Sequence, residues 1–448
     1  MKSSPHGSSA TTQLPKPVTG PLFAFVSAHR SHLVACAVAG LFLACVFRYW
    51  VNFDPNDKVA GHGQEMGRVA INVYEKGEFR DPYGALKTGP TAHLNPVYPS
   101  LLAAMMGLFG TQAAGIFAIK LMAVVAVASQ VALFPLVSGR LGMGALNGFI
   151  AACIWIVAKP MLVYEWESSY AALLLVIIAL IFRRYLDPDV RTVGPAWFLG
   201  ALVGLLILIL PTSALVLAVW LTWDVLHRDR RFIRARIVPL VVLPALIISP
   251  WLIRNYLVFH RLMLRDNLGL ELGSANNDCA QFAVQLNTNS GCNIHPNEKV
   301  AEAQKILVMG EPQYNDMRKR EAFEWIASHP ARFMQLTGMR VVAFWFPTET
   351  WTFHHYTGRR KRERGLMYMM SLLSVGGVFI LYRRDRVSCG LCIVCLTLFP
   401  IPYYITQFVF WHSYPVLWMI FLLGALPITA LLNRSFPASL RFAASESR

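Results

Sequence analysis

Charge is scarce in this chain. Of its 448 residues only 15% are Asp, Glu, Lys or Arg, while 55% are hydrophobic. Soluble globular domains carry about 25% charged residues, so that class is excluded and a multi-pass membrane protein is indicated. Charge is scarcer still inside the apolar runs, where Lys120 is the main exception. A transporter or flippase would place charged residues deep in several spans, or paired broken helices in two repeats. No internal repeat is found, which counts against that alternative. Low-complexity sequence is lacking beyond the first ~20 residues, whose composition is that of a disordered tail. That start, MKSSPHGSSATTQLPKPVTG, also lacks the form of a cleavable signal peptide: its apolar run comes late and no small-residue cleavage site follows.

The net charge is +16. It does not indicate a nucleic-acid partner, because the basic residues fall between apolar runs, as in the cytoplasmic loops of membrane proteins. The excess also suits anionic membrane lipid. Six of the eight cysteines, Cys36, Cys45, Cys153, Cys389, Cys392 and Cys395, lie inside apolar runs and read as small core residues. Cys389, Cys392 and Cys395 have metal-like spacing but no His partners. Cys279 and Cys292 share one polar loop. A disulfide between them would close a ring of ~14 residues, contribute ~3 kcal/mol and require an oxidising compartment; the alternative is two free thiols.

Apolar runs long enough for a hydrocarbon core of ~30 Å fall near 32–50, 114–137, 144–160, 168–186, 196–210, 212–227, 237–257, 366–382, 388–405 and 409–432. Pro211 splits two of them into a broken pair. Two further pieces, 96–110 and 332–347, are short or interrupted by Arg340 and read as re-entrant or interfacial. The expected architecture is an all-α polytopic membrane protein with about 10–12 transmembrane helices. With the N-terminus inside, the basic loops at 183–191, 227–236 and 383–386 lie in the cytoplasm, and Cys279 and Cys292 lie outside. The basic cluster at 358–365 then lies outside, against the rule. The chain divides into a tail (1–31), a transmembrane module (32–257), a long outer loop with an interfacial segment (258–365) and C-terminal transmembrane helices (366–448).

The outer loops carry the candidate chemistry. GQEMGRVAINVYEKGEF, residues 63–79, has helical spacing: Met66, Val69, Ala70 and Val73 form an apolar stripe, and Glu65, Arg68, Asn72 and Lys76 a polar one. The spacing predicts a helix lying flat at the membrane surface. Asp54 and Asp57 precede it, and a Pro-studded return, 88–110, follows.

The order of these features resembles the GT-C superfamily of polyprenyl-phosphate-sugar-dependent glycosyltransferases, and within it the protein O-mannosyltransferase and lipid A aminoarabinose transferase group. The elements are a first span, an early acid, Glu65-x-x-Arg68-x-Ala70, Gly77-Glu78-Phe79, and a Pro-rich return ending in Leu108-Phe109-Gly110. PWLIRNY (250–256), GEPQY (310–314) and YYITQFVFWHSYPVLW (403–418) add looser matches. The chain departs from the pattern in two places near the first motif: Glu65 stands where the family has its catalytic Asp, and Met66 where it has a Glu. A third departure is the Arg missing before Tyr414-Pro415.

The resemblance implies an inverting transfer of a sugar from a polyprenyl-phosphate donor, at the membrane boundary, to a lipid, glycan or protein acceptor. It implies the periplasmic face of a bacterial inner membrane, as a multi-pass protein. A hydroxyl acceptor needs a carboxylate base; Glu65 is the first candidate, with Asp54 and Asp57 as alternatives. Arg68 sits one turn from Glu65. Glu165 and Glu167 correspond to a second acid that orients the acceptor in relatives, or are ordinary interfacial polarity. The departing phosphate needs cations: Arg254 is the first candidate, against simple snorkelling, with Lys87 and His93 weaker and Arg359 and Arg360 a further pair. Some members use a divalent metal and many do not. His295, His354 and His355 lack ligand spacing, so no metal site is expected. A non-catalytic member of the family is a further alternative.

Overall fold

The computed structural model of the chain describes residues 30–50, 65–158, 167–186, 194–226, 230–346 and 359–435, with nothing said below of side chains at 30–31, 194, 230–236, 359–363, 410 and 435. Asp54, Asp57, Glu165, His354, His355 and most of the expected N-terminal tail lie outside the described residues. Arg359 and Arg360 open a helix, but their side chains are likewise outside.

The described chain is all-α, apart from two isolated bridges. In chain order the helices are α1 (Arg30–Trp50), α2 (Glu65–Lys76), α3 (Val97–Phe109), α4 (Ala113–Ala132), α5 (Phe134–Arg140), α6 (Ala145–Ala158), α7 (Ser168–Tyr185), α8 (Gly194–Ile209), α9 (Ala214–Leu226), α10 (Arg230–Phe259), α11 (Leu268–Ala275), α12 (Val284–Asn289), α13 (Val300–Met309), α14 (Glu311–Ser328), α15 (Pro330–Trp345), α16 (Arg359–Arg384), α17 (Arg386–Leu398), α18 (Ile401–Ile405) and α19 (Tyr414–Ser435). Among the described residues, seven stretches are long and apolar enough to cross a bilayer, and four shorter apolar helices accompany them. The protein is a polytopic membrane protein; the 10–12 helices read from the sequence include the short ones.

Spans pack through small residues, as expected where lipid gives helices no hydrophobic drive to associate. A Cβ on Gly200 of α8 would sit 2.2 Å from the Pro239 carbonyl oxygen of α10, and one on Gly204 2.9 Å from Pro244 Cα. Only glycine permits that approach. α10 carries Pro239, Pro244 and Pro250 inside a continuous helix, and the Leu246 carbonyl freed by Pro250 accepts from Ser249 Oγ at 3.0 Å. Pro211 opens a 3₁₀ turn between α8 and α9, the break expected there.

The described part of segment 332–347, whose apolar run Arg340 interrupts, lies within helix α15 up to Trp345. Arg340 is fully buried and donates to the Ala275 carbonyl and to Asn276 Oδ1, so it ties α15 to α11 instead of breaking the helix. The amphipathic stripe of α2 is also turned inward. Met66, Val69 and Ala70 pack with Leu94, Tyr98, Leu102 and Met106 of the α3 region. α2 is therefore docked on protein, with Glu65 buried beneath it.

The C-terminal ends of α8 and α10, the N-terminal end of α7 and the segment 260–329 meet at the loop that follows α2 and the start of α3, through Asn95 and Ile209, Arg254 and Thr91, Tyr98 and Tyr170, and Arg265 and His93. The opposite end of α7 is fastened by Arg183, which pairs with Asp385 at 3.0 Å.

Candidate active site

Glu65 is the first residue of α2, where a carboxylate is favoured by the helix dipole. Three side chains converge on it. His93 Nε2 lies 3.2 Å from Oε2, His295 Nε2 lies 3.1 Å from Oε1, and Asn297 Nδ2 donates to Oε1 at 2.9 Å. Burial acts to raise the Glu65 pKa, but the charge attraction of His93 and His295, the His93 hydrogen bond and Arg68 outweigh it and lower it to about 2. The carboxylate is therefore ionised at any physiological pH. Burial acts to lower the His93 pKa, and Glu65 more than reverses this and raises it; His295 is lowered by burial despite Glu65. Tyr83 packs against both imidazoles, with ring centroids 5.3 and 5.8 Å away.

Glu65, His93 and His295 each offer one ligand atom, all within 4.8 Å of one another. Two imidazole nitrogens and a carboxylate oxygen form a donor set suited to Mn²⁺, Fe²⁺, Co²⁺ or Zn²⁺. His93 Nδ1 is buried without a hydrogen-bond partner among the described residues.

The supports come from distant parts of the chain. Arg68 donates to Asn297 Oδ1 and to the Pro82 carbonyl, both at 2.7 Å. It buttresses the site through Asn297. Thr91 donates to Glu311 Oε2 at 2.6 Å, and Ala92 N donates to Glu311 Oε1 at 2.7 Å. Burial raises the Glu311 pKa to about 7, against the nearby His93 and these two hydrogen bonds. Arg265 Nε donates to the His93 carbonyl at 2.7 Å, and its charge acts on His93, Glu167 and His412. Glu167 is buried at the start of α7. Its pKa is raised by burial, and its Oε2 has no hydrogen-bond partner among the described residues.

Arg254, the first candidate for the departing phosphate, is tied to the backbone of the first loop. Its Nη1 donates to the Thr91 carbonyl and its Nη2 to the Phe79 carbonyl, both at 2.8 Å, and its guanidinium lies 5.0 Å from the Trp251 ring. These bonds clamp two strands of the first loop. Lys87 is exposed. Cys279 and Cys292 are joined in a disulfide, Cα–Cα 5.7 Å, in the segment leading to His295.

Sequence reasoning missed His295 as a partner of Glu65, and missed Asn297, Glu311 and Arg265. The local signals were the run Asn293-Ile294-His295-Pro296-Asn297, with polar side chains around a proline in a loop tied down by a disulfide, and GEPQY, which contains Glu311.

An open apolar groove of about 560 Å³ lies beside the site, lined among others by Pro96 and Val97 of the α3 entrance, Leu208 of α8, and Ile247 and Trp251 of α10. Its rim is joined to the site by the segment 91–95, where Asn95 Nδ2 donates to the Ile209 carbonyl at 2.9 Å.

No protein-family model matches the chain, and no curated protein matches it by sequence. Solved structures do resemble it. One is the oligosaccharyltransferase of Archaeoglobus fulgidus, tethered to an acceptor peptide containing the NVT sequon: 14% identity and a TM-score of 0.55, covering 94% of this chain and 52% of that one. Another is ArnT from Cupriavidus metallidurans bound to undecaprenyl phosphate: 13% identity and a TM-score of 0.36, covering 91% of this chain and 81% of that one. The chain spans about half the length of the oligosaccharyltransferase. At these identities the likeness is one of fold, and the fold shared with the archaeal oligosaccharyltransferase is the one that the GT-C resemblance in the sequence implied.

Proposed function

We propose that the chain is an inverting membrane glycosyltransferase that moves a sugar from a polyprenyl-phosphate donor to a lipid, glycan or protein acceptor at the periplasmic face of a bacterial inner membrane. One observation carries this reading: a buried, ionised Glu65 is held by His93, His295 and Asn297 at the end of the bundle where the loops converge. The groove lined by Leu208, Ile247 and Trp251 supports it, since an isoprenoid chain needs an apolar trough opening beside the reacting head group.

A carboxylate held at so low a proton affinity is a weak base. In this reading Glu65 supplies charge and orientation, and Glu65, His93 and His295 would hold a divalent cation that would supply Lewis acidity toward the departing phosphate. Asn297 and Arg68 keep the Glu65 carboxylate aligned. Arg265 adds a fixed positive charge between Glu65's partner His93 and Glu167. Glu167, with a free oxygen and a proton affinity raised by burial, is the carboxylate suited to receive the acceptor proton. Asp54 and Asp57 stay alternative bases, and Glu165 a residue that orients the acceptor, as the sequence assigns them.

The test is transfer of labelled sugar from a polyprenyl phosphate by the full chain in proteoliposomes. Glu65→Gln and Glu167→Gln are each expected to lower the rate by about 10² or more. Full activity in both of these, and in Asp54→Asn and Asp57→Asn, would show the reading to be wrong.

A further inference from the structure

We propose that Thr91 and Glu311 are positioning residues that seat His93 against Glu65, an inference that rests on the reading of Glu65, His93 and His295 as one centre. His93 has a single ring hydrogen bond among the described residues, to Glu65 at 3.2 Å; its Nδ1 is buried and unpartnered. A ligating histidine is normally oriented through its second ring nitrogen. That handle is missing here, so the ring must be aimed by its backbone.

The backbone is built for this. All six main-chain polar atoms of Thr91, Ala92 and His93 are engaged. Thr91 N donates to the Phe79 carbonyl at 3.2 Å, and the Thr91 carbonyl accepts from Arg254 at 2.8 Å. Ala92 N donates to Glu311 Oε1 at 2.7 Å, and its carbonyl accepts from Asp266 N at 2.8 Å. His93 N donates to Thr91 Oγ1 at 2.9 Å, and its carbonyl accepts from Arg265 Nε at 2.7 Å. Two of these contacts run through one relay. The Thr91 hydroxyl gives its only proton to Glu311 Oε2 at 2.6 Å and offers a lone pair to His93 N. Glu311 thus grips two successive residues with its two oxygens, and the hydroxyl passes that grip to His93. A glutamine at 311 has one acceptor oxygen and cannot serve both donors.

The experiment uses the full chain in lipid nanodiscs and Co²⁺ alone, read by its visible d–d absorption, with thermal unfolding measured in parallel. Thr91→Val keeps the shape and removes the hydroxyl; it is expected to weaken Co²⁺ binding by about tenfold or more, the scale of lost outer-shell support. Thr91→Ser restores the hydroxyl and is expected to bind within about threefold of wild type, and Glu311→Gln to follow Thr91→Val. If Glu311→Gln does not fold, the Thr91 pair decides alone. Wild-type affinity in Thr91→Val, or equal losses in the Val and Ser variants, overturns the positioning role. Co²⁺ binding that is absent from wild type, or unchanged in Glu65→Gln, overturns the reading of the centre itself, and the positioning role with it.

Discussion

Asn297 joins Arg68 to Glu65: its Oδ1 accepts from Arg68 Nη2 at 2.7 Å while its Nδ2 donates to Glu65 Oε1 at 2.9 Å. The amide is the one side-chain type of this size that can face a cation and an anion at once. Asn297→Asp would set a second carboxylate against Glu65. Asn297→Ala is expected to cost both hydrogen bonds to charged groups, each about 1.5–3 kcal/mol, and at least about tenfold to a hundredfold in sugar transfer. The Asp variant is expected to lose more than Ala, because like charges compete for ionisation. Equal rates for Asn297→Asp and wild type would remove Glu65 from the rate-determining environment.

Arg254 gives the second prediction. Its fork spans the carbonyls of Thr91 and Phe79, which a lysine's single ammonium cannot bridge in that way. Arg254→Lys is expected to lower the melting temperature and kcat together. KM for the lipid-linked donor should stay within about twofold, since uniform substrate binding is not what the bonds support. A large rise in KM at unchanged melting temperature would instead place the guanidinium on the donor phosphate.

What the sequence made legible was periodic or local. Met66, Val69 and Ala70 recur at helical spacing, and that apolar face is the one α2 buries. Pro211 marked the break between α8 and α9 because a proline at that point cannot continue the hydrogen-bond ladder. The site itself was only half legible. Glu65 stood out through its motif, but its partner Asn297 lies 232 residues away, and spacing carries no information about such convergence. The carbonyl partners of Arg254 could not be read either, because a backbone acceptor leaves no trace in side-chain identity. The partners of Arg340 were hidden for the same reason: the Ala275 carbonyl and the Asn276 side chain that hold it lie at the end of another helix. Arg265 went unread because its partner is the His93 carbonyl, 172 residues away.

The disulfide gives the third prediction. Cys292 N and Asn293 N both donate to the Asn287 carbonyl, and His295 N donates to Asn293 Oδ1, so the ring closed by Cys279 and Cys292 leads directly into His295. Cys279→Ser with Cys292→Ser is expected to destabilise the loop segment by about 3 kcal/mol. A reductant should act the same way on wild type and not at all on the double variant. An unchanged unfolding curve in both cases would mean that the Asn287 hydrogen bonds hold the loop unaided.

The last prediction concerns acid. Glu302 of α13 accepts from Tyr314 OH at 2.7 Å and Lys305 Nζ at 2.8 Å and pairs with Arg318, fastening α13 to α14. Burial acts to raise its pKa, but the hydrogen bonds from Lys305, Arg318 and Tyr314 outweigh it and lower the folded-state value. The folded chain therefore binds this proton more weakly than the unfolded chain. The stabilisation is fully present above the unfolded value of about 4.3 and fades as pH falls through the lower, folded one. Glu302→Gln is expected to cost about 2 kcal/mol at neutral pH, the scale of losing charged hydrogen bonds. Unfolding of the α13–α14 segment, followed by hydrogen exchange from pH 7 to pH 3, should then show wild type and variant converging at the acid end. Parallel curves, with the same gap at every pH, would assign the cost to lost packing and leave the Glu302 charge without a part in it.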